Sequence, residues 1–215
     1  MPSICFLYQN PVLASAKCCL IRGIGVKIVA GVLKPQAGSV FYGGVEQRQL
    51  RATEMRKSIA YLPQACHLFH GTIAQNLRLV EPAATDEMLR DAAIAAGVFE
   101  EIANLPDGFE TWIGDEKLES LPESFQQKLS LARLWLKDTP ILLFDEPSQN
   151  PDAIGEEAFA RTLEAMRGKR TIVFVSHRPS QMRAADRVLV LTAGRLTSDT
   201  KNERNEAIES KQGAA

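Results

Sequence analysis

Ile141-Leu142-Leu143-Phe144-Asp145-Glu146-Pro147 is a run of four apolar residues that delivers two adjacent carboxylates. Two similar runs follow it, Thr171 to Val175 and Val188 to Leu191. Short segments that are apolar on both faces predict buried parallel strands. Between the first two lies a helical pattern, Asp152 to Met166, which turns Ile154, Ala158, Phe159, Thr162, Leu163 and Met166 to one side and ends where Gly168 can cap it. A strand, helix, strand order implies right-handed crossovers and an α/β sheet whose functional edge lies at the strand C-termini. Asp145-Glu146 and Ser176-His177 both fall at such ends.

The middle of the chain differs in character. Thr85 is placed to cap a helix with Asp86 and Glu87 in its first turn, an apolar stripe of Leu89, Ala92, Ala93 and Ala96, and a stop at Gly97. Ser124-Phe125-Gln126-Gln127 reads as a capping box opening a second helix through Leu129, Ala132 and Trp135, stopped before Pro140. Ser39 to Tyr61 alternates around the turn pair Gly43-Gly44 and predicts mostly β structure. The expected organisation is a discontinuous α/β core over residues 1–64 and 138–197, a helical subdomain over 65–137 and a polar tail over 198–215.

Lys plus Arg total 25 against 26 Asp plus Glu, with the signs interleaved, which argues against a polyanion-binding role and a nucleic-acid partner. A composition of 45% hydrophobic and 24% charged residues excludes a disordered or collagen-like chain. Arg22, Lys27 and three glycines interrupt the most apolar stretch, Cys18 to Leu33, so it does not read as a membrane span. Ala14-Ser15-Ala16 resembles a cleavage site, but no basic residue precedes Lys17, so a secretion signal is not expected. Cys5, Cys18, Cys19 and Cys66 form no CxxC pair and read as reduced thiols. Cys66, His67 and His70 lack a fourth partner for a metal.

In nucleotide hydrolysis, the first of two such carboxylates holds Mg²⁺ and the second orients the attacking water. Taken alone, the same residues also suit a helix-capping turn. Their company is more specific: Tyr61-Leu62-Pro63-Gln64 precedes the helical insertion, Ser148-Gln149-Asn150-Pro151-Asp152 follows the carboxylates, and Val175-Ser176-His177-Arg178-Pro179 closes the next strand. This ordered set resembles the nucleotide-binding domain of ATP-binding cassette (ABC) transporters across nearly the whole chain. Leu68-Phe69-His70-Gly71-Thr72-Ile73 and Ser176-His177-Arg178-Pro179-Ser180 are most similar to exporters of the type I secretion class.

The resemblance implies a P-loop NTPase-like α/β cassette, a mixed sheet flanked by helices with a helical insertion. It implies ATP and Mg²⁺ as cofactors, with Asp145 as the Walker B aspartate, Gln64 as the Q-loop glutamine sharing the Mg²⁺, Glu146 as catalytic glutamate, His177 as switch histidine, Asp152 in the D-loop and Ser124 in the signature segment. Tyr8 falls where the family stacks an aromatic on adenine, although a strand tyrosine packing in a sheet suits it equally. The implied partners are a membrane-spanning transporter domain and a second cassette in a head-to-tail dimer. The implied location is cytoplasmic, at the inner face of the membrane, and Leu89, Ala92 and exposed residues near them are expected to meet the membrane partner.

Two segments depart from the family. Residues 16–27, Ala-Lys-Cys-Cys-Leu-Ile-Arg-Gly-Ile-Gly-Val-Lys, contain no G-x-x-x-x-G-K-[ST], the sequence whose backbone N–H groups and lysine wrap phosphates. Charge-assisted hydrogen bonds contribute about 1.5–3 kcal/mol each, so losing several removes about 5 kcal/mol. Leu121-Pro122-Glu123-Ser124-Phe125 stands where the family carries L-S-G-G-Q, opening a helix that faces the opposite subunit's γ-phosphate. Like charges at about 4 Å repel by about 4 kcal/mol at an effective dielectric of about 20. Glu123 also favours its own helix dipole by about 0.3–1 kcal/mol. The expected function is an exporter ATPase cassette impaired at its own Walker A site. The alternatives are a catalytically inactive partner of a competent cassette and a truncated remnant.

Overall fold

The computed structural model describes residues 3–7, 24–64, 67–114, 121–146, 153–192 and 195–202. In chain order the elements are β1 (Ser3–Leu7), α1 (Ile24–Val29), β2 (Phe41–Tyr42), β3 (Val45–Glu46), α2 (Ala52–Ser58), β4 (Ile59–Leu62), β5 (Gly71–Thr72), α3 (Ile73–Arg78), α4 (Asp86–Ala95), α5 (Phe99–Ala103), β6 (Trp112–Ile113), α6 (Glu123–Leu136), β7 (Ile141–Asp145), α7 (Ala153–Met166), β8 (Thr171–Ser176), α8 (Pro179–Ala184), β9 (Arg187–Thr192) and β10 (Arg195–Lys201). They divide into two compact units: Met1–Tyr61 with Thr139–Glu146 and Met166–Ala215, and Leu62–Asp138 with Pro147–Ala165.

In the first unit the first two apolar runs become neighbours. A six-stranded sheet has the order β10-β9-β1-β8-β7-β4. β7 and β8 pair in parallel, from Ile141 opposite Thr171 to Asp145 opposite Val175. Ile141, Leu143, Val173 and Val175 form one buried cluster with Val26 and Ile28 of α1, Met55 of α2, Ile59 of β4, Val40 and Tyr42. Leu142, Phe144, Ile172 and Phe174 point to the other face and are equally buried. Burial on both faces is why the runs show no polar alternation.

The third run behaves differently from expectation. β9 is antiparallel to both β1 and β10 and only half-buried, and β1 is antiparallel to β8 as well, so the sheet is mixed. β9 and β10 are separated by two residues, a connection that only antiparallel strands can close. An apolar run reports burial, not strand direction.

The expectation of mostly β structure over Ser39 to Tyr61 is also corrected. Gly43 and Gly44 do form the turn of a β2–β3 hairpin, at φ 56° and 84°, as a primed turn requires. Beyond it a 3₁₀ turn over Gln47–Gln49 leads into α2. The Glu54 carboxylate holds the first turn of α2, accepting from Arg51 N at 3.1 Å and Arg51 Nη2 at 2.8 Å. Met55 is the one buried residue of α2, so no helical stripe marks it in the sequence.

In the second unit α6 packs against α3 and α4. Thr85 caps α4 as expected, its hydroxyl accepting from Met88 N at 3.3 Å, and Gly97 follows the helix at φ 70°. Leu89 and Ala92 are 1% and 4% exposed, inside the unit's own core, which corrects the expectation that they meet a membrane partner. The apolar stripe is present, and the covering surface comes from α6, which packs against α4 and buries Phe125, Leu129 and Ala132.

The capping box at Ser124 is corrected as well. α6 starts two residues earlier, at Glu123, with Pro122 rather than Ser124 as N-cap and no side-chain cap bond. Proline fixes φ near the helical value, here −54°, and the Pro122 carbonyl takes the N–H groups of Phe125 at 3.0 Å and Gln126 at 3.2 Å. Ser124 is therefore inside the helix. Among the described residues no helix is long and apolar enough to cross a membrane.

Candidate functional site

The parallel register of β7 with β8 brings two motifs to one edge of the sheet. Asp145 is the last residue of β7 and pairs with Val175. Glu146 then donates its backbone N–H to the Val175 carbonyl at 3.1 Å. Strands lie about 4.8 Å apart, so Asp145-Glu146 and Ser176-His177 end side by side.

Asp145 is 4% exposed. Tyr61, from β4 on the far side of β7, donates its hydroxyl to Asp145 Oδ2 at 3.3 Å. Burial raises the Tyr61 phenol well above its usual range, and the negative charge and hydrogen bond of Asp145 push it the same way. Glu146 has φ 50°, the one non-glycine residue with positive φ among the described residues. Ser176 is buried, and its hydroxyl accepts from Arg178 N at 3.0 Å, which turns the chain and leaves His177 exposed.

Two expected site residues lie in the second unit. Gln64 is exposed in the bend that follows β4. Ser124 is half-buried at the second position of α6, behind the exposed Glu123. Tyr8, Asp152, Cys66 and most of residues 16–27 lie outside the described residues.

The sheet edge fits a hard divalent cation, because Asp145 and Glu146 offer carboxylate oxygens at the end of a rigid strand. The start of α6 fits an anion poorly, since Glu123 occupies its first turn. Tyr61 was not foreseen as a site residue. Its partner is 84 positions away, and only strand pairing brings the two together.

A family model described as ABC transporter matches residues 25–149. The chain is 33% identical over 189 residues to the mitochondrial iron-sulfur clusters transporter ABCB7 of Oryzias latipes, covering 85% of this chain and 25% of that protein. It is 38% identical over 184 residues to the type I secretion system ATP-binding protein PrsD of Rhizobium meliloti (strain 1021), covering 85% of this chain and 31% of that protein. The chain thus spans a quarter to a third of the length of these relatives. The structure of a bacterial Atm1-family ABC exporter with ATP bound shares the fold, with a TM-score of 0.77 at 24% identity, over 97% of this chain and 40% of that one.

Proposed function

The chain belongs to the ABC transporter family, and from that premise we propose that it is the ATPase cassette of an exporter, coupling ATP binding and hydrolysis to transmembrane export, with its own Walker A site impaired. The observation that carries this reading is the side-by-side arrival of Asp145-Glu146 and Ser176-His177 at the C-terminal ends of two parallel strands. On this reading Asp145 and Gln64 hold the Mg²⁺ that accompanies ATP, which supplies charge neutralisation at the phosphates. Glu146 and His177 are the catalytic pair, and Tyr8, Asp152 and Ser124 contact nucleotide. Residues 1–64 and 138–197 make up the nucleotide core and 65–137 the helical part.

Impairment is supported by residues 16–27, which lack the glycine and lysine spacing of a phosphate cradle. Glu123 supports a second reading, in which the chain is an inactive partner of a competent cassette, because it sets a negative charge at the helix start that would face the partner's phosphate. In both readings the chain pairs with a second cassette beneath a membrane-spanning domain, on the cytoplasmic side. Phe69, Leu79 and Trp112, each more than half exposed in the second unit, replace Leu89 and Ala92 as the residues proposed to meet that domain.

Calorimetric titration with Mg-ATP to millimolar concentration, on the wild type and Glu146→Gln, tests the proposal. Saturable binding in both, with turnover in the wild type alone, supports the ATPase. No binding by a folded chain removes it and leaves the inactive partner.

A further inference from the structure

The second side of the Asp145 carboxylate is taken by Tyr61, and this contact has a chemical consequence at the proposed cation site. We propose that Tyr61 is a positioning residue for the cation-binding carboxylate: its hydroxyl holds Asp145 Oδ2 so that the remaining oxygen lone pairs face the sheet edge. The inference rests on the reading of Asp145 as a Mg²⁺ ligand.

Three observations carry it. The Tyr61 hydroxyl lies 3.3 Å from Oδ2 and has only an acceptor to meet there, so it is the donor. Asp145 is 4% exposed, so its charge needs a polar partner whether or not a cation is bound. Both residues sit on strands that flank one another in the sheet, β4 beside β7, with Ile59 and Leu143 in the same buried cluster. The ring is thus fixed by packing. A carboxylate has about four lone-pair sites, and one bond from Tyr61 leaves the others for a cation. Bonds of this kind orient metal ligands, and their removal weakens metal affinity by about 10–100-fold.

The test is Mn²⁺ binding in the presence of ATP, read from the electron paramagnetic resonance signal of free Mn²⁺, on the full chain. Wild type, Asp145→Asn, Tyr61→Phe and Tyr42→Phe are compared, with thermal unfolding of each. Tyr61→Phe keeps the packed ring and loses only the donor. The expected result is binding by the wild type, its loss in Asp145→Asn, an affinity weaker by about tenfold in Tyr61→Phe with an unchanged melting temperature, and no change in Tyr42→Phe. Binding by Tyr61→Phe equal to the wild type, while Asp145→Asn fails to bind, overturns the role of Tyr61 and leaves the cation site standing. An affinity loss in Tyr61→Phe matched by an equal loss of folded protein also overturns it, as a packing effect. Absence of binding in the wild type overturns the cation site and the role of Tyr61 together.

Discussion

Glu146 donates its backbone N–H to the Val175 carbonyl at 3.1 Å while its φ stands at 50°. The strand pairing of β7 with β8 therefore continues one residue past Asp145, and the chain turns there through a conformation that L-residues avoid. A left-handed residue with a Cβ costs roughly 1–2 kcal/mol, and glycine escapes most of that. Glycine also loses more freedom on folding, which offsets roughly 0.5–1 kcal/mol. Glu146→Ala and Glu146→Gly both remove the carboxylate, so the comparison isolates the backbone. Glu146→Gly is expected to be the more stable of the two by about 0.5–1 kcal/mol in urea unfolding. An alanine variant of greater stability would show that φ at this position relaxes.

Lys128 is buried in α6 and meets Glu101 at 2.5 Å, with side-chain exposures of 8% and 41%. The two ends of this ion pair are unequal. Glu101→Gln leaves an ammonium buried without its counter-charge and is expected to cost about 3 kcal/mol, whereas Lys128→Met leaves a carboxylate that water reaches and costs about 1 kcal/mol. Denaturant midpoints decide the order, and equal costs would mean that Lys128 finds water on its own.

Tyr42 donates to the Val29 carbonyl at the end of α1, and Gln47 Nε2 reaches both the Ile28 carbonyl at 2.8 Å and the Tyr42 hydroxyl at 3.3 Å. Burial raises the Tyr42 phenol from 10.0 to about 12, with the Gln47 hydrogen bond acting in the opposite direction. A folded-state pKa above the unfolded one means that the folded chain keeps its proton longer. The stabilisation from neutral Tyr42 is full below pH 10 and is lost as pH rises through 12. Wild-type stability is expected to fall across that window more steeply than that of Tyr42→Phe. Parallel curves for the two proteins would place the loss on other groups.

Arg133 ties His67 to Asn76. It donates to the His67 carbonyl at 3.0 Å, the Asn76 carbonyl at 3.0 Å and Asn76 Oδ1 at 2.8 Å, and its guanidinium lies 5.9 Å from the centre of the exposed Phe69 ring. A lysine lacks the planar fork that serves these acceptors together. Arg133→Lys is expected to speed amide exchange over residues 67–72 by about tenfold, equivalent to about 1.4 kcal/mol. Unchanged exchange would assign the order of this loop to Asn76 alone.

Much of the candidate site is legible in one dimension because its determinants are local. Ile141 to Phe144 had to be a buried strand, and a strand so buried has to release Asp145 and Glu146 at its end. The same holds for Thr171 to Ser176 and His177, and for Thr85 before α4. Ser124 failed as a cap because the choice of helix start depends on φ at Pro122 and on which carbonyl the first N–H groups find. α2 escaped notice because one buried residue gives no period.

By itself the sequence determined the strand-end carboxylates, the helices α4 and α6, and membership of a family whose motifs are contiguous in the chain. Tertiary structure alone decided that β9 runs antiparallel, that Leu89 and Ala92 face α6 rather than a partner, and that Tyr61 meets Asp145. The physical reason is the same in all three. Each depends on which surface another part of the chain supplies, and hydrophobic burial is set by the presence of a covering surface, not by its identity.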